Sequence, residues 1–140
     1  MNKAPAIAMR LAYLIVFCWN VLCALQFVFD PESYTAGFEL SGIEGRVAVQ
    51  GLGVAFLMWN ATYPAVIADP RRFRSLSVVV VVQQAIGLAG ESFILASLPA
   101  GHAALVASIQ RFIAFDAAGF VMMLATLVWL TVSDRHAKAC

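Results

Sequence analysis

The chain has 140 residues, of which 62% are hydrophobic and only 12% are charged. A soluble domain has about twice that share of charged residues, and one of this length could not bury so much apolar surface. The nine basic and eight acidic residues nearly balance, which argues against a nucleic-acid-binding protein. The composition therefore indicates a single domain in a lipid bilayer.

Four apolar segments are each long enough to cross about 30 Å of hydrocarbon as a helix. Their apolar residues run continuously and do not alternate, which favours helices over a β-barrel. We therefore predict an all-α protein, an integral membrane four-helix bundle that forms one domain over residues 1–140. The predicted helices cover residues 6–29, 47–68, 75–98 and 103–132, with an outer loop at 30–46.

Proline marks the predicted ends of three helices, because it disfavours a helical conformation in the residue before it. The three pairs are Asp30-Pro31, Asp69-Pro70 and Leu98-Pro99. The first apolar run, residues 11–29, is longer than the core of a signal peptide, and no small-residue cleavage site follows it. We therefore expect it to remain as the first membrane helix.

Every cluster of basic residues falls on one side of the predicted four-pass topology. The outer loop is mainly acidic, and the third connection has no Lys or Arg. Because Lys and Arg favour the cytoplasmic side, we predict that both termini are cytoplasmic in a bacterial-type cytoplasmic membrane. The residues that define this side are Lys3, Arg10, Arg71, Arg72, Arg74, Arg135 and Lys138.

Polar residues within the predicted helices recur at helical spacing, so that each helix has one polar face. Lipid cannot satisfy such groups, and the four faces should therefore meet in the interior of the bundle. We expect a polar pocket there, nearer the outer side. The candidate ligand-binding residues are Asn20 on the first helix, Arg46, Gln50 and Asn60 on the second, Gln84 and Glu91 on the third, and Arg111 and Asp116 on the fourth.

Gly101 lies in the connection between the third and fourth helices. Glu91 is ten residues before it and Arg111 is ten residues after it. In a tight helical hairpin these two side chains lie at the same depth, and we expect them to form an ion pair. In one interpretation the pair only fixes helix register, and Asp116 is hydrogen-bonded to Asn20 or to backbone. In the other, the cost of buried charge is retained because the pocket binds a ligand.

The second interpretation is slightly favoured, because one ion pair does not account for Asp116. The ligand would be a small anionic or amphipathic molecule, such as a lipid or a quinone-like compound. Arg111 and Arg46 would hold an anion, and Glu91 would position them. Asp116 would be a neutral hydrogen-bond donor or proton carrier, because removal from water favours the uncharged acid.

Two other classes of function stay open beside ligand binding. The protein could be an accessory or structural subunit that docks onto a larger membrane complex. It could instead form a proton or ion pathway as a homodimer, since four short helices enclose little space. Arg111→Ala should abolish ligand effects in a pocket but only lower protein abundance in an accessory subunit.

No residue pattern predicts a catalytic group, a cofactor or a metal site. Both histidines lie outside the predicted helices, and the chain has no Cys-x-x-Cys. We interpret Trp19 and Trp59 as packing residues. The outer loop, with Tyr34, Phe38, Leu40 and Ile43, is predicted to lie over the bundle as a partly apolar lid.

Four features carry a resemblance to known proteins. The first helix ends in Phe29-Asp30-Pro31-Glu32, Gly42-x-x-Gly45-Arg46 follows, Gly51 and Gly53 open the second helix, and Asp69-Pro70-Arg71-Arg72 comes after it. In these features the chain resembles the DoxX-like and DUF4345-type families of small bacterial four-helix membrane proteins. The resemblance implies an integral membrane protein, sometimes an accessory partner of redox or thiol-handling enzymes, and it assigns no catalytic residue.

Overall fold

The computed structural model describes residues 3–139, with side chains as far as residue 137. Over this range all regular structure is helical, and four helical units are long and apolar enough to span a membrane, as predicted. The side chain of Lys138 lies outside the described residues. The helices are α1 (Ala4–Phe29), α2 (Glu32–Thr35), α3 (Gly42–Asn60), α4 (Tyr63–Ala68), α5 (Arg74–Ser97) and α6 (Ala103–Ala139), and a 3₁₀ turn (Ala36–Phe38) follows α2.

The predicted second helix is divided into α3 and α4 by Pro64. Proline has no N–H, and its ring clashes with the carbonyl four residues earlier, so α3 ends at Asn60. The Thr62 hydroxyl donates to the Trp59 carbonyl at 3.3 Å and satisfies one of the groups left at the helix end. The break therefore places the Asn60 side chain at the end of a helix and not in its middle.

Apart from this break, two helix boundaries differ from the prediction by five residues or more. α3 begins at Gly42 and not at residue 47. Gly42 has a φ of 67°, a backbone conformation that residues with a side chain rarely adopt. α6 has 37 residues and is about 55 Å long, because it continues as a regular helix beyond its apolar segment. Its last turns extend past the thickness of a hydrocarbon core.

The helices form a bundle in which the α3 and α5 backbones are set apart. α1 packs against α3, α4 and α6, and α5 packs against α6 and α4. Within the described part of the chain, α3 and α5 do not pack closely against each other. The order around the bundle is therefore α3, α1, α6 and α5. The α3 and α5 backbones are separated by a gap that α4 closes at one end and that the Trp59 ring crosses to reach Gly87.

α1 and α3 approach closely at Gly53. A Cβ atom at this position would lie 2.7 Å from the Ala24 carbonyl oxygen and 2.9 Å from Phe27 Cβ. One turn earlier, Gln50 Nε2 donates to the Val28 carbonyl at 3.0 Å. Gly51, by contrast, faces open space. The absence of a side chain at Gly53 is therefore what allows the two backbones to meet.

Charged side chains join the helices at the end that we call the basic end. Arg10 Nη2 donates to the Ala68 carbonyl at 2.7 Å. Arg71 Nε lies 3.1 Å from Asp134 Oδ1, and Arg74 donates to the other oxygen of the same carboxylate. The Asp134 side chain is only 12% exposed. Asp134 therefore joins the last turns of α6 to the connection before α5, through Arg71, and to the first residue of α5, Arg74.

The half of the bundle next to the basic end holds the apolar core. The Tyr13 hydroxyl donates to the Ser77 carbonyl at 3.1 Å and joins α1 to α5 within it. We call this region the packed half. Its fully buried side chains include Met9, Tyr13, Val16, Tyr63, Val66, Val80, Met123 and Leu130.

The opposite end is covered by residues 31–40, which we call the lid. The Ser108 hydroxyl at the start of α6 donates to the Gly37 carbonyl at 2.7 Å. His102 Nδ1 lies 2.6 Å from Glu39 Oε2. The hydrogen bond with His102 holds the pKa of the Glu39 carboxyl below its usual value. Two contacts therefore fasten the lid to the start of α6.

Aromatic contacts seat the lid on the bundle. Phe38 packs on Phe27 and Phe112, with ring centroids 5.9 and 6.3 Å away. Tyr34 packs on Phe27, and its hydroxyl donates to Gln26. These contacts agree with the predicted lid. Ile43 does not belong to it, because it lies in the first turn of α3 and is 77% exposed.

Candidate functional site

A cavity of about 170 Å³ lies between α1, α3, α5 and α6, and we call it the central cavity. A cavity of about 150 Å³ is enough for a benzene-sized group. Six of the eight candidate residues named from sequence line it. These are Asn20, Asn60, Gln84, Glu91, Arg111 and Asp116.

Aromatic rings form the rest of its wall. Trp19 stacks on Phe115 with a centroid distance of 5.5 Å, and Trp59 lies across from them on α3. Our interpretation of the two tryptophans as packing residues is thus incomplete, because both line the cavity. Spacing along an apolar helix does not distinguish a ring in a core from a ring in a cavity wall. Phe56 and Phe112 complete the aromatic lining.

Gly87 brings α5 close to the polar centre of the cavity. A Cβ atom there would lie 3.1 Å from Asp116 Oδ2 and 3.1 Å from Trp59 Cη2. Gly90, three residues later, faces open space. A side chain at Gly87 would therefore enter the cavity, and one at Gly90 would not.

The predicted ion pair between Glu91 and Arg111 is wrong. Among the described residues, no carboxylate lies within 4 Å of the Arg111 guanidinium, although both side chains line the same cavity. Both side chains reach the same cavity, in agreement with their equal distance from Gly101. The prediction did not account for the direction in which each side chain points from its helix axis. α5 faces Asp116, and Arg111 lies five residues earlier, about 140° around α6. Arg111 Nη2 instead points toward the lid and donates to Ser108 Oγ at 3.3 Å.

Asp116 is held by α5 and not by α1. Gln84 Nε2 donates to Asp116 Oδ1 at 2.7 Å, so the expected partner Asn20 does not hold it. Gln84, Gly87 and Glu91 follow each other at spacings of three and four on one face of α5. The Asp116 and Glu91 carboxyls therefore lie on the same side of the cavity.

Two acceptors in the cavity lining have no partner within the described residues. Asn60 is 3% exposed, and its Nδ2 donates to the Phe56 carbonyl at 2.8 Å, but its Oδ1 accepts no hydrogen bond. Glu91 Oε2 is likewise buried and unpaired. An unsatisfied buried acceptor costs about 1–3 kcal/mol. Such a cost needs an explanation, and a ligand is one.

Arg46 and Gln50 do not belong to the site. Arg46 Nη1 lies 3.9 Å from Glu32 Oε1 at the base of the lid, and both side chains are more than half exposed. Gln50 joins α3 to α1 through the Val28 carbonyl. The expected anion site of Arg46 with Arg111 is therefore not formed. Arg46 lies about four helical turns before the cavity residue Asn60 on α3.

A second cavity of about 530 Å³ lies beneath the lid, between α1 and α6. It shares Trp19, Cys23, Arg111 and Phe112 with the central cavity. Arg111 therefore stands at the junction of the two. The sequence predicted the lid but gave no sign of the space beneath it.

No group of three or more His, Cys, Asp or Glu side chains that could hold a metal occurs in the part of the chain that the structure describes. Comparison with protein-family models, curated proteins and solved structures finds no match to this chain. The resemblance to the DoxX-like and DUF4345-type families therefore stays a prediction.

Proposed function

We propose that the protein is a multi-pass protein of the bacterial cytoplasmic membrane and that its central cavity binds the polar head of a small amphipathic molecule. Both termini are then cytoplasmic. The grouping of Arg10, Arg71 and Arg74 at one end of the bundle supports this orientation. The lid, with Glu32 and Glu39, then faces the outside.

The observation that carries the proposal is the state of Asn60. A side chain that is 3% exposed would normally have all its polar atoms paired, yet Asn60 Oδ1 has no partner in the described chain. It lines a cavity to which all four spanning units contribute. A bound head group supplies the missing hydrogen bond and removes the cost.

The walls and the gap fit an amphipathic ligand. Five aromatic rings line the cavity and offer apolar contact to the ligand next to its polar head. The gap between the α3 and α5 backbones gives the apolar body a route to the lipid past the Trp59 ring. A purely polar solute would make no apolar contact with these aromatic rings.

The test is extraction of the protein in mild detergent, followed by mass spectrometry of what co-purifies. We expect a bound small molecule in stoichiometric amount. Gly87→Leu should exclude it, because the added side chain enters the cavity. Gly90→Leu is the matched control on the same helix, and it should retain the molecule, because that position faces open space.

Two results would contradict the proposal. A clean, ligand-free and monodisperse wild-type sample would favour an accessory subunit. Equal retention by Gly87→Leu and Gly90→Leu would mean that the molecule binds elsewhere.

A further inference from the structure

Two hydrogen-bond acceptors in the lining of the central cavity, one on α3 and one on α5, are without a donor in the described chain. Asn60 Oδ1 and Glu91 Oε2 have no partner within residues 3–137. The side-chain amides beside them already donate within the protein, Asn60 Nδ2 to Phe56 and Gln84 Nε2 to Asp116. A ligand with N–H or O–H groups would therefore supply the hydrogen bonds that these two oxygens do not receive from the protein.

The charged residues of the lining favour a ligand with a positive charge. Two carboxyls, Glu91 and Asp116, lie on one side of the cavity. Arg111 is the one basic side chain of its lining, and its guanidinium is turned toward Ser108 and the lid. Two carboxylates so placed repel each other, and a cation between them removes the repulsion.

The aromatic walls also suit a cation. Trp19 and Trp59 line the cavity together with three phenylalanines. The face of an aromatic ring attracts a cation, indole most strongly, and the attraction grows when water is excluded. An anion would meet the same ring faces unfavourably.

We infer that the head group bound in the central cavity is a protonated amine on an apolar body, held by hydrogen bonds to Glu91, Asp116 and Asn60. This inference rests on the proposed function, since it names the chemical class of the same ligand. The ammonium N–H groups satisfy the two orphaned acceptors. The positive charge lies between the two carboxyls and against the indole rings.

The test uses four probes of equal chain length: decylamine, decyltrimethylammonium, decanol and decanoate. Two of the three tryptophans line the cavity, so binding is followed by tryptophan fluorescence in neutral-lipid nanodiscs, in a Trp129→Phe background. Empty nanodiscs and Gly87→Leu protein correct for partition into lipid. Decylamine should bind roughly 10- to 100-fold more tightly than decanol, as charge-assisted hydrogen bonds require. Decyltrimethylammonium, which has no N–H, should fall between them.

Variants separate the roles of the charged groups. Glu91→Gln and Asp116→Asn should each weaken decylamine at least roughly tenfold and leave decanol unchanged. Glu91→Gln is the safer of the two, because Glu91 Oε2 has no partner in the described chain whose loss could disturb the fold. Arg111→Ala should not weaken decylamine.

Two outcomes overturn the inference, and they differ from failure of the proposed function. Decanoate binding most tightly, with loss in Arg111→Ala, would make the ligand an anion. Equal binding of all four probes would mean that the head group is not recognised. If no probe binds wild-type protein better than Gly87→Leu protein, the central cavity is not a ligand site at all, and the proposed function fails with it.

Discussion

The packed half and the half beneath the lid use the same four helices in opposite ways. Next to the basic end, apolar side chains such as Met123 and Leu130 are fully buried. Between Asn60 and the lid, the helices enclose the central cavity and the cavity beneath the lid, and the α3 and α5 backbones are separated by a gap. The difference indicates that the packed half maintains the fold, which leaves the other half free to keep open space that selection for stability alone would fill.

Removing a large side chain from the packed half should have the largest effect. Met123→Ala should lower the free energy of unfolding by about 3 kcal/mol, because it leaves a void among fully buried neighbours. Met58→Ala is the control, since Met58 is 72% exposed, and it should change the value by less than about 0.5 kcal/mol. Both are measured by reversible denaturation in one detergent. Equal decreases in the free energy of unfolding for the two variants would show that burial in the packed half does not stabilise the protein as proposed.

Adding one methyl group where α1 meets α3 should have the next largest effect. Gly53→Ala places Cβ against the Ala24 carbonyl and should cost about 2 kcal/mol through forced separation of the helices. Gly51→Ala, two residues away and facing open space, should not destabilise the protein. The measurement is the thermal midpoint of each variant. If Gly53→Ala is as stable as wild type, this part of the lid half is looser than the structure indicates.

Replacing an unpaired acceptor should act in the opposite direction. Glu91→Leu removes a buried oxygen that has no partner among residues 3–137 and should raise the free energy of unfolding of ligand-free protein by about 1 kcal/mol. Gln110→Leu, at an exposed position on α6, should give a smaller change. A loss of stability in Glu91→Leu would show that Glu91 holds the fold together after all.

The smallest effect concerns the lid and depends on pH. The folded-state pKa of Glu39 is lowered, so its contact with His102 stabilises the protein above the unfolded-state pKa of about 4.3 and is lost as pH falls through the folded-state value. At pH 6 the thermal midpoint of Glu39→Gln should lie slightly below that of wild type. Below about pH 4 the difference should shrink.

Glu32→Gln serves as the control for the lid. Its carboxylate is 77% exposed and lies 3.9 Å from Arg46, so its loss should have no measurable effect at either pH. A constant difference between wild type and Glu39→Gln across this pH range would show that the carboxylate acts through packing and not through its charge.

The four units long enough to span a membrane, and the polar faces of α5 and α6, could be predicted from the sequence, because both follow from local patterns. Continuous apolar runs set the spans, and spacings of three and four placed Gln84 and Glu91 on one face. Pro64 divided the second helix for a local reason too, although the prediction treated that helix as continuous.

What the sequence did not predict depends on how the helices are rotated against one another. Depth alone paired Glu91 with Arg111, whereas the contact of Gln84 with Asp116 turns Arg111 away from α5. That rotation is decided by all four helices together. Asp134 was missed for a different reason, because it lies two residues beyond the predicted end of the fourth helix at 132.

If the central cavity takes its ligand from the membrane, as we propose, the gap between α3 and α5 determines which ligand concentration the site experiences. A molecule that arrives through it comes from among the acyl chains, where an amphiphile accumulates far above its level in the surrounding water. Occupancy then follows the mole fraction of the ligand in the membrane, so dilution with extra lipid should empty the site even when the aqueous ligand and the protein are held constant.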